Sequence, residues 1–455
     1  MISRRHTVSQ ATITYIVGGL LLLFVVSCTP QLTAIPSPSP TATTEVESLI
    51  DVVGTSPRPP ATAEIESEEI TTPETPSLTY LTLWTVEAIS PQAEGEAGRV
   101  FGNGLRAFEN THPDVSISVV LKNESGKGSV LDYLRTASQA APSVMPDVVV
   151  LNTVDLAQAA RTGLVVPLDG LVSPLIIDDL LPAARAAGSV DGQLVGIPFE
   201  MDVEHLIYNT NKVTSTPIVW TDVISANTNY VFPAKGRNGL VNDAFLIQYL
   251  ALGGHLQDEE GQPFLDEQAL RTILEYYRRG VEVGVISPDI LTISTPDDIW
   301  PIYISAQVGI AHVNAHRFLS DRSVLRSTQF ADIPTQEGNP LTISRGQVLA
   351  IVARDPDQQA LASRLIEWLM APDNNAMWNR TRAYIPTRYA VFDELGDSDP
   401  YWPFLQHQLE IAVPPPAFPE FDQIGRVLQQ AVVEVLSDDA TPEEAAAAAV
   451  NAVTP

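Results

Sequence analysis

Cysteine is almost missing from this chain: among 455 residues only Cys28 is one. No disulfide framework can form, so the folded part must rest on its apolar core. Basic residues are scarce too, 26 Lys and Arg against 55 Asp and Glu, for a formal net charge of −29. Such a chain repels the phosphates of nucleic acid and the anionic headgroups of a lipid surface, so neither is expected as a direct partner. Also missing are a Gly-x-Ser-x-Gly elbow, a P-loop, a His-Glu-x-x-His pair and a Gly-rich nucleotide turn. Their absence removes the common hydrolase, NTPase, zinc-protease and dinucleotide readings. No cofactor is expected, and no internal repeat is evident. The longest apolar run, Ile13 to Val26, falls short of the roughly 20 residues that a membrane-spanning helix needs.

That short run follows Arg4, Arg5 and His6 and closes with Val25-Val26-Ser27-Cys28, which resembles a bacterial lipobox. Residues 1–27 are then expected to be a lipoprotein signal peptide, with Cys28 as the lipidation site. An uncleaved signal anchor predicts the same topology, and a buried structural cysteine is the remaining alternative. The chain is expected on the outer face of the bacterial cytoplasmic membrane, with lipid as its membrane contact. From residue 28 to 77 the composition shifts to Pro, Ser, Thr and Glu with few large apolar side chains. Such a segment cannot bury enough surface to offset its ordering entropy, and is expected to be a disordered, extended tether.

The folded part opens with an alternating strand, Leu78 to Trp84. A helix over Val100–Asn110 follows, then a strand at Val115–Leu121, a helix over Leu131–Ala140 and a buried strand at Asp147–Leu151. Asp155–Arg161 reads as a short helix closed by Gly163. Strands alternating with helices at this spacing predict an α/β fold with a parallel sheet. Further on, Asp266 is placed to cap a helix carrying Leu270, Ile273, Leu274 and Tyr277. Val348–Ala353 is a second buried strand, a helix through Trp368 stops at Ala371-Pro372, and the alanine-rich tail 442–453 is helical by propensity.

Several stretches in this order resemble the extracellular solute-binding proteins of ATP-driven importers, in the branch of the maltose- and oligosaccharide-binding proteins. They are Ala107–Val115, Met145–Val149, Gly163–Asp169, Val190–Glu200 continuing to Leu206–Asn209, Gly253–Leu256, Ala383–Arg388 and Thr441–Ala445. The resemblance implies a two-lobed periplasmic-binding-protein type II fold with a multi-stranded hinge and an interlobe cleft that closes over a ligand. Its hinge strands would fall near 202–206 and 342–346, with a third crossing near 388–392. Lobe one would be 78–200 plus 348–388, and lobe two 206–342 plus 392–455. It further implies a monomer that delivers a small polar solute, with a carbohydrate as the first expectation, to the permease subunits of an ABC transporter. A metal, small-anion or polyol binder of the same fold, or a surface sensor, stands as the alternative.

In open α/β sheets, ligands sit beyond the carboxyl ends of the strands. That rule picks out Trp84 and Glu87 after the first strand, and Asn152 and Thr153 after the buried one. The resemblance adds Asp202 as the hinge acid, with Glu200 two residues earlier. Acids and amides suit sugars because they accept or share several hydroxyl hydrogen bonds. Trp84, Trp300 and Tyr384 are candidates to stack on a sugar face, with core packing as the competing reading for each. Trp220 reads as packing. Many relatives carry Asn-Gly-x-Trp in lobe two, but this chain has Gly309-Ile-Ala-His-Val-Asn-Ala-His316. Asn314 is kept and the indole is lost, which favours a smaller or more polar ligand. His312, Asn314 and His316 would share one face if that run stays extended. Asn314 and His316 are candidate ligand contacts, and a metal site is the lesser alternative. Arg345 is a candidate partner for an anionic group, against a solvated arginine. Paired acids also occur in glycosidases, but a binding protein, not an enzyme, is the expectation.

Overall fold

The computed structural model describes residues 78–396 and 398–453. The expected signal peptide, Cys28 and the tether lie outside the described residues. Among these residues no helix is long and apolar enough to cross a membrane.

Nine strands form one sheet whose main path runs through Val115–Lys122, Thr79–Val86, Val148–Asn152, Thr342–Ile351, Ile197–Asn209, Ile310–Asn314 and Tyr230–Val231. The first three are parallel to one another, as the strand–helix alternation predicts. The helices Glu96–Thr111 and Val130–Ala140 supply the crossovers. Val148 to Leu151 are almost wholly buried, which accounts for a run with no polar alternation.

Two long strands carry the architecture from there. Ile197–Asn209 spans 13 residues and Thr342–Ile351 spans 10. They pair antiparallel, with Arg345 opposite Asp202 and Gln347 opposite Glu200. The same Gln347 lies opposite Asn152 on its other side. Close approach demands a small residue here: a Cβ on Gly346 would stand 2.5 Å from the Glu200 carbonyl oxygen. Beyond Val203 the longer strand changes partners, pairing through Glu204–Tyr208 with Ile310–Asn314 and through Leu206–Asn209 with Thr328–Ala331. One continuous strand thereby joins two sets of neighbours, and Asp202 sits where the pairing changes over.

The helices follow their sequence signals closely. Asp266 accepts a hydrogen bond from the Ala269 N–H at 2.9 Å, and the helix Glu267–Glu282 buries Leu270, Ile273, Leu274 and Tyr277. This helix packs against Phe421–Leu436 and the tail helix Pro442–Val453. Trp220 is buried, stacked 4.4 Å from Tyr276 and donating from Nε1 to Gln248 at 2.8 Å. The helix Pro356–Leu369 stops before Ala371, and a new helix, Pro372–Arg382, starts on the proline itself. Pro at a first helical turn loses no hydrogen bond, so Ala371-Pro372 marks a boundary between two helices and not the end of helical structure.

Two stretches depart from the sequence reading. Near 388–392 there is only a single bridge, Leu180 to Arg388, before a helix over Tyr389–Leu395. Asp179 is the cause: its carboxylate binds Arg388 Nε at 2.9 Å and also takes the Ala390 N–H in the helix's first turn. The run 312–316 does not stay extended either. Its strand ends at Asn314, whose side chain caps the helix Ala315–Asp321 by accepting from the Arg317 N–H at 3.2 Å. His312 and His316 therefore point into different surroundings.

Candidate solute-binding cavity at the strand changeover

The changeover at Asp202 turns a carboxylate toward the start of the helix Ala315–Asp321. Asp202 Oδ2 accepts from Asn314 Nδ2 at 2.8 Å, and Oδ1 accepts from the His316 N–H at 2.9 Å and the Val203 N–H at 3.0 Å. Burial nonetheless pushes its pKa up to about 7, with the negative charge of Glu204 adding to the rise against these hydrogen bonds. Glu204 follows two residues later on the same strand and touches His312 Nε2 through Oε2.

Asp202 and Glu204 line a cavity of about 420 Å³ together with Asn314, Arg345, Asp243, Asn242, Arg237, Asp297, Phe421 and Asp422. That volume falls within the rough 300–1,000 Å³ of small-molecule sites. Arg345 reaches Asp243 in a two-pronged pair, Nε to Oδ2 at 2.5 Å and Nη2 to Oδ1 at 2.6 Å. Asp243 occupies the first position of the helix Asp243–Ala251, whose cap is Asn242. An acid there suits the positive end of the helix as well as the guanidinium. Arg345 is half exposed but held in this pair, so it is not a free anion receptor.

Three of the residues singled out in the sequence, Asp202, Asn314 and Arg345, line this cavity. The others lie elsewhere. Glu200 is only 1% exposed and is held by Trp378 Nε1 at 2.9 Å and by Arg382 Nη2 at 3.3 Å. Burial raises its pKa, and Arg382 and Trp378 oppose the rise. It is a paired interior acid, off the cavity wall. Trp300 is buried beside Tyr303, with the Arg317 guanidinium 5.2 Å from its ring. Trp84 is buried against Tyr133, and Lys122 Nζ stands 4.4 Å and 3.8 Å from the two rings. For these two tryptophans the packing reading is the one that describes their surroundings.

Tyr384 stacks on His316 at 4.2 Å, and the His316 ring also meets the Ala383 carbonyl at 3.1 Å. The backbone N–H of the same His316 is a donor to Asp202. Asn152 is the cap of the helix Thr153–Arg161 and binds Asp155 through both its oxygen and its nitrogen. Glu87 is exposed in the short turn after the first strand. Thr153 is buried and lines a smaller second cavity of about 230 Å³ with Arg161 and Pro415. Among the described residues no group of three or more His, Cys, Asp or Glu is placed to hold a metal ion.

Sequence reasoning missed Glu204, Asp243 and Phe421. Glu204 was within reach, since alternate residues of a strand share a face. Asp243 reads as an ordinary first-turn acid, and only the packing of its helix against the strand brings Arg345 to it. Phe421 sits behind a proline-rich loop with no periodicity to place it.

The profile of a family described as bacterial extracellular solute-binding protein matches residues 105–403. The chain belongs to that family. Among relatives, the mannitol-binding protein of Pseudomonas aeruginosa is 26% identical over 188 residues, 38% of this chain and 42% of that protein. The maltotriose-binding protein of Pyrococcus abyssi is 25% identical over 174 residues, 37% of each chain. The chain thus matches about two-fifths of the length of these relatives. Among solved structures, the cyclic α-maltosyl-1,6-maltose binding protein of Arthrobacter globiformis superimposes with a TM-score of 0.69 at 18% identity, covering 83% of this chain and 98% of that one. This likeness establishes the two-lobed α/β solute-binding fold. Members of the family are binding proteins and not enzymes, so Glu200 and Asp202 need no glycosidase role.

Proposed function

We propose that this protein is the substrate-binding component of an ABC importer and captures a small polyhydroxylated solute, a sugar or sugar alcohol. The carrying observation is the 420 Å³ cavity whose floor is Asp202, Glu204, Asn314 and the Arg345–Asp243 pair. Carboxylate and amide groups held at fixed positions match a ligand that presents many hydroxyls. The names of the mannitol- and maltotriose-binding relatives support the same class. The lobes would be 78–200 plus 348–388 and 206–342 plus 392–455, rocking about the two long paired strands to enclose the solute. Lipid at Cys28 would hold the protein outside the membrane, with residues 28–77 as the tether and the permease subunits as its partner.

A thermal-shift screen over sugars, sugar alcohols, amino acids and metal salts tests this. A ligand that binds only the folded state must raise the melting temperature, by about 2.7 kcal/mol of stability at a hundredfold excess over Kd. Shifts confined to polyhydroxylated compounds are expected. Shifts confined to amino acids or metal salts would contradict the reading.

A further inference from the structure

The cavity floor is an acceptor surface. Asp202 and Glu204 stand two residues apart on one strand, so their side chains leave the same face. Asp202 takes donors from Asn314, His316 and Val203. Glu204 Oε2 meets His312 Nε2, and Glu204 Oε1 has no hydrogen-bond partner among the described residues. The His312 side chain is fully buried, and its Nδ1 has no hydrogen-bond partner among the described residues.

The lining holds five acids against two arginines, Arg237 and Arg345. Arg345 gives two hydrogen bonds to Asp243, and its charge also attracts Glu204. At the rim the lining carries Asp297 and Asp422 against Arg237. Phe421 is the only aromatic side chain in the lining, so little of the binding can come from stacking on a neutral sugar ring. Carboxylate excess and a shortage of aromatic surface point the same way.

We propose that the cavity selects a polyhydroxylated ligand bearing an ammonium group, an amino sugar or an amino polyol, with Asp202 and Glu204 as the specificity-determining pair. This rests on the solute-binding function proposed above. An ammonium presents three donors to a lining in which Glu204 Oε1 is still free to accept, and its hydrogen bonds to carboxylates are the stronger, charge-assisted kind. A neutral hydroxyl in its place leaves the excess of acids in the lining uncompensated. A ligand carboxylate is repelled.

The test is isothermal titration of the purified protein with matched compounds: glucosamine, glucose, N-acetylglucosamine and glucuronate, galactosamine with galactose, and glucamine with sorbitol. In at least one matched set the ammonium compound is expected to bind tenfold or more tightly than its neutral counterpart. Acetylation of the amine is expected to abolish that preference, and Glu204→Gln to reduce the ratio toward one. Neutral compounds binding as tightly as their ammonium partners throughout would overturn the selectivity and leave the sugar-binding function standing. Silence toward every compound in the series would overturn both. The wild-type comparison decides the matter even if Glu204→Gln fails to fold.

Discussion

The carboxylate of Asp202 is pulled in two directions, by three hydrogen bonds that favour its charge and by burial and Glu204 that oppose it. The opposition wins and lifts its pKa from an ordinary 3.8 to about 7. The folded state therefore holds this proton more tightly than the unfolded chain does. Stability from this group is full below pH 4 and is lost as pH rises toward 7. His205 does the reverse: burial pushes it down to about 4, so its contribution is lost as pH falls below about 6.5. The two slopes partly cancel in the wild type, and a difference measurement separates them. Asp202→Asn should gain on the wild type by roughly 4 kcal/mol between pH 4 and pH 8 in urea denaturation. A constant gap across that range would show that Asp202 titrates normally. Glu200 makes a second case at this scale. Removing Arg382 strips a nearly fully buried acid of its ion pair and leaves only Trp378 to bind it. Arg382→Ala should cost about 2–4 kcal/mol, while Arg382→Ala with Glu200→Gln should recover a good part of that loss. No recovery in the double variant would mean the charge on Glu200 is not the source of the cost.

At the scale of elements, the paired long strands decide where everything else stands. Their register sets Arg345 opposite Asp202 and Gln347 between Asn152 and Glu200, and it depends on Gly346. A methyl there would press on the Glu200 carbonyl and on Met201 Cγ at 2.9 Å. Gly346→Ala is expected to cost about 1–3 kcal/mol in stability and to weaken ligand binding, because the strands bearing Asp202 and Arg345 must part. A variant with unchanged melting temperature and affinity would show that this contact relaxes freely. Much at this scale was legible in the sequence. Capped, periodic helices such as Glu267–Glu282 and unbroken apolar strands such as Val148–Leu151 announce themselves through local spacing. What escaped was set by distant partners. Asp179 converts the stretch after Arg388 into a helix, and the Asn314 cap bends a run that alternates well enough to pass for a strand.

On the scale of the whole molecule, fold and family were readable because the signals are many and ordered along the chain. The site was readable only in part. Asp202, Asn314 and Arg345 line the candidate cavity, and their positions near the hinge are what singled them out in the sequence. Trp84, Trp300 and Glu200 were chosen for side-chain chemistry that suits sugars, and the same chemistry suits packing and interior ion pairs. Residue type alone does not tell these apart; burial and partners do. Glu204 was open to strand alternation, whereas Asp243 needed the packing of helix on strand. The paired strands hold a polar, acid-rich cavity with one aromatic side chain in its lining, Phe421.

The central claim is that a polyhydroxylated solute sits on Asp202. It is tested most directly by titrating the best ligand from the thermal screen into the wild type and into Asp202→Ala, with melting curves to confirm folding. The account predicts a loss of about 1–3 kcal/mol in binding, roughly 5- to 150-fold in Kd, because partner groups at the floor lose their acceptor. An Asp202→Ala protein that melts as a folded molecule and binds with unchanged affinity would contradict it.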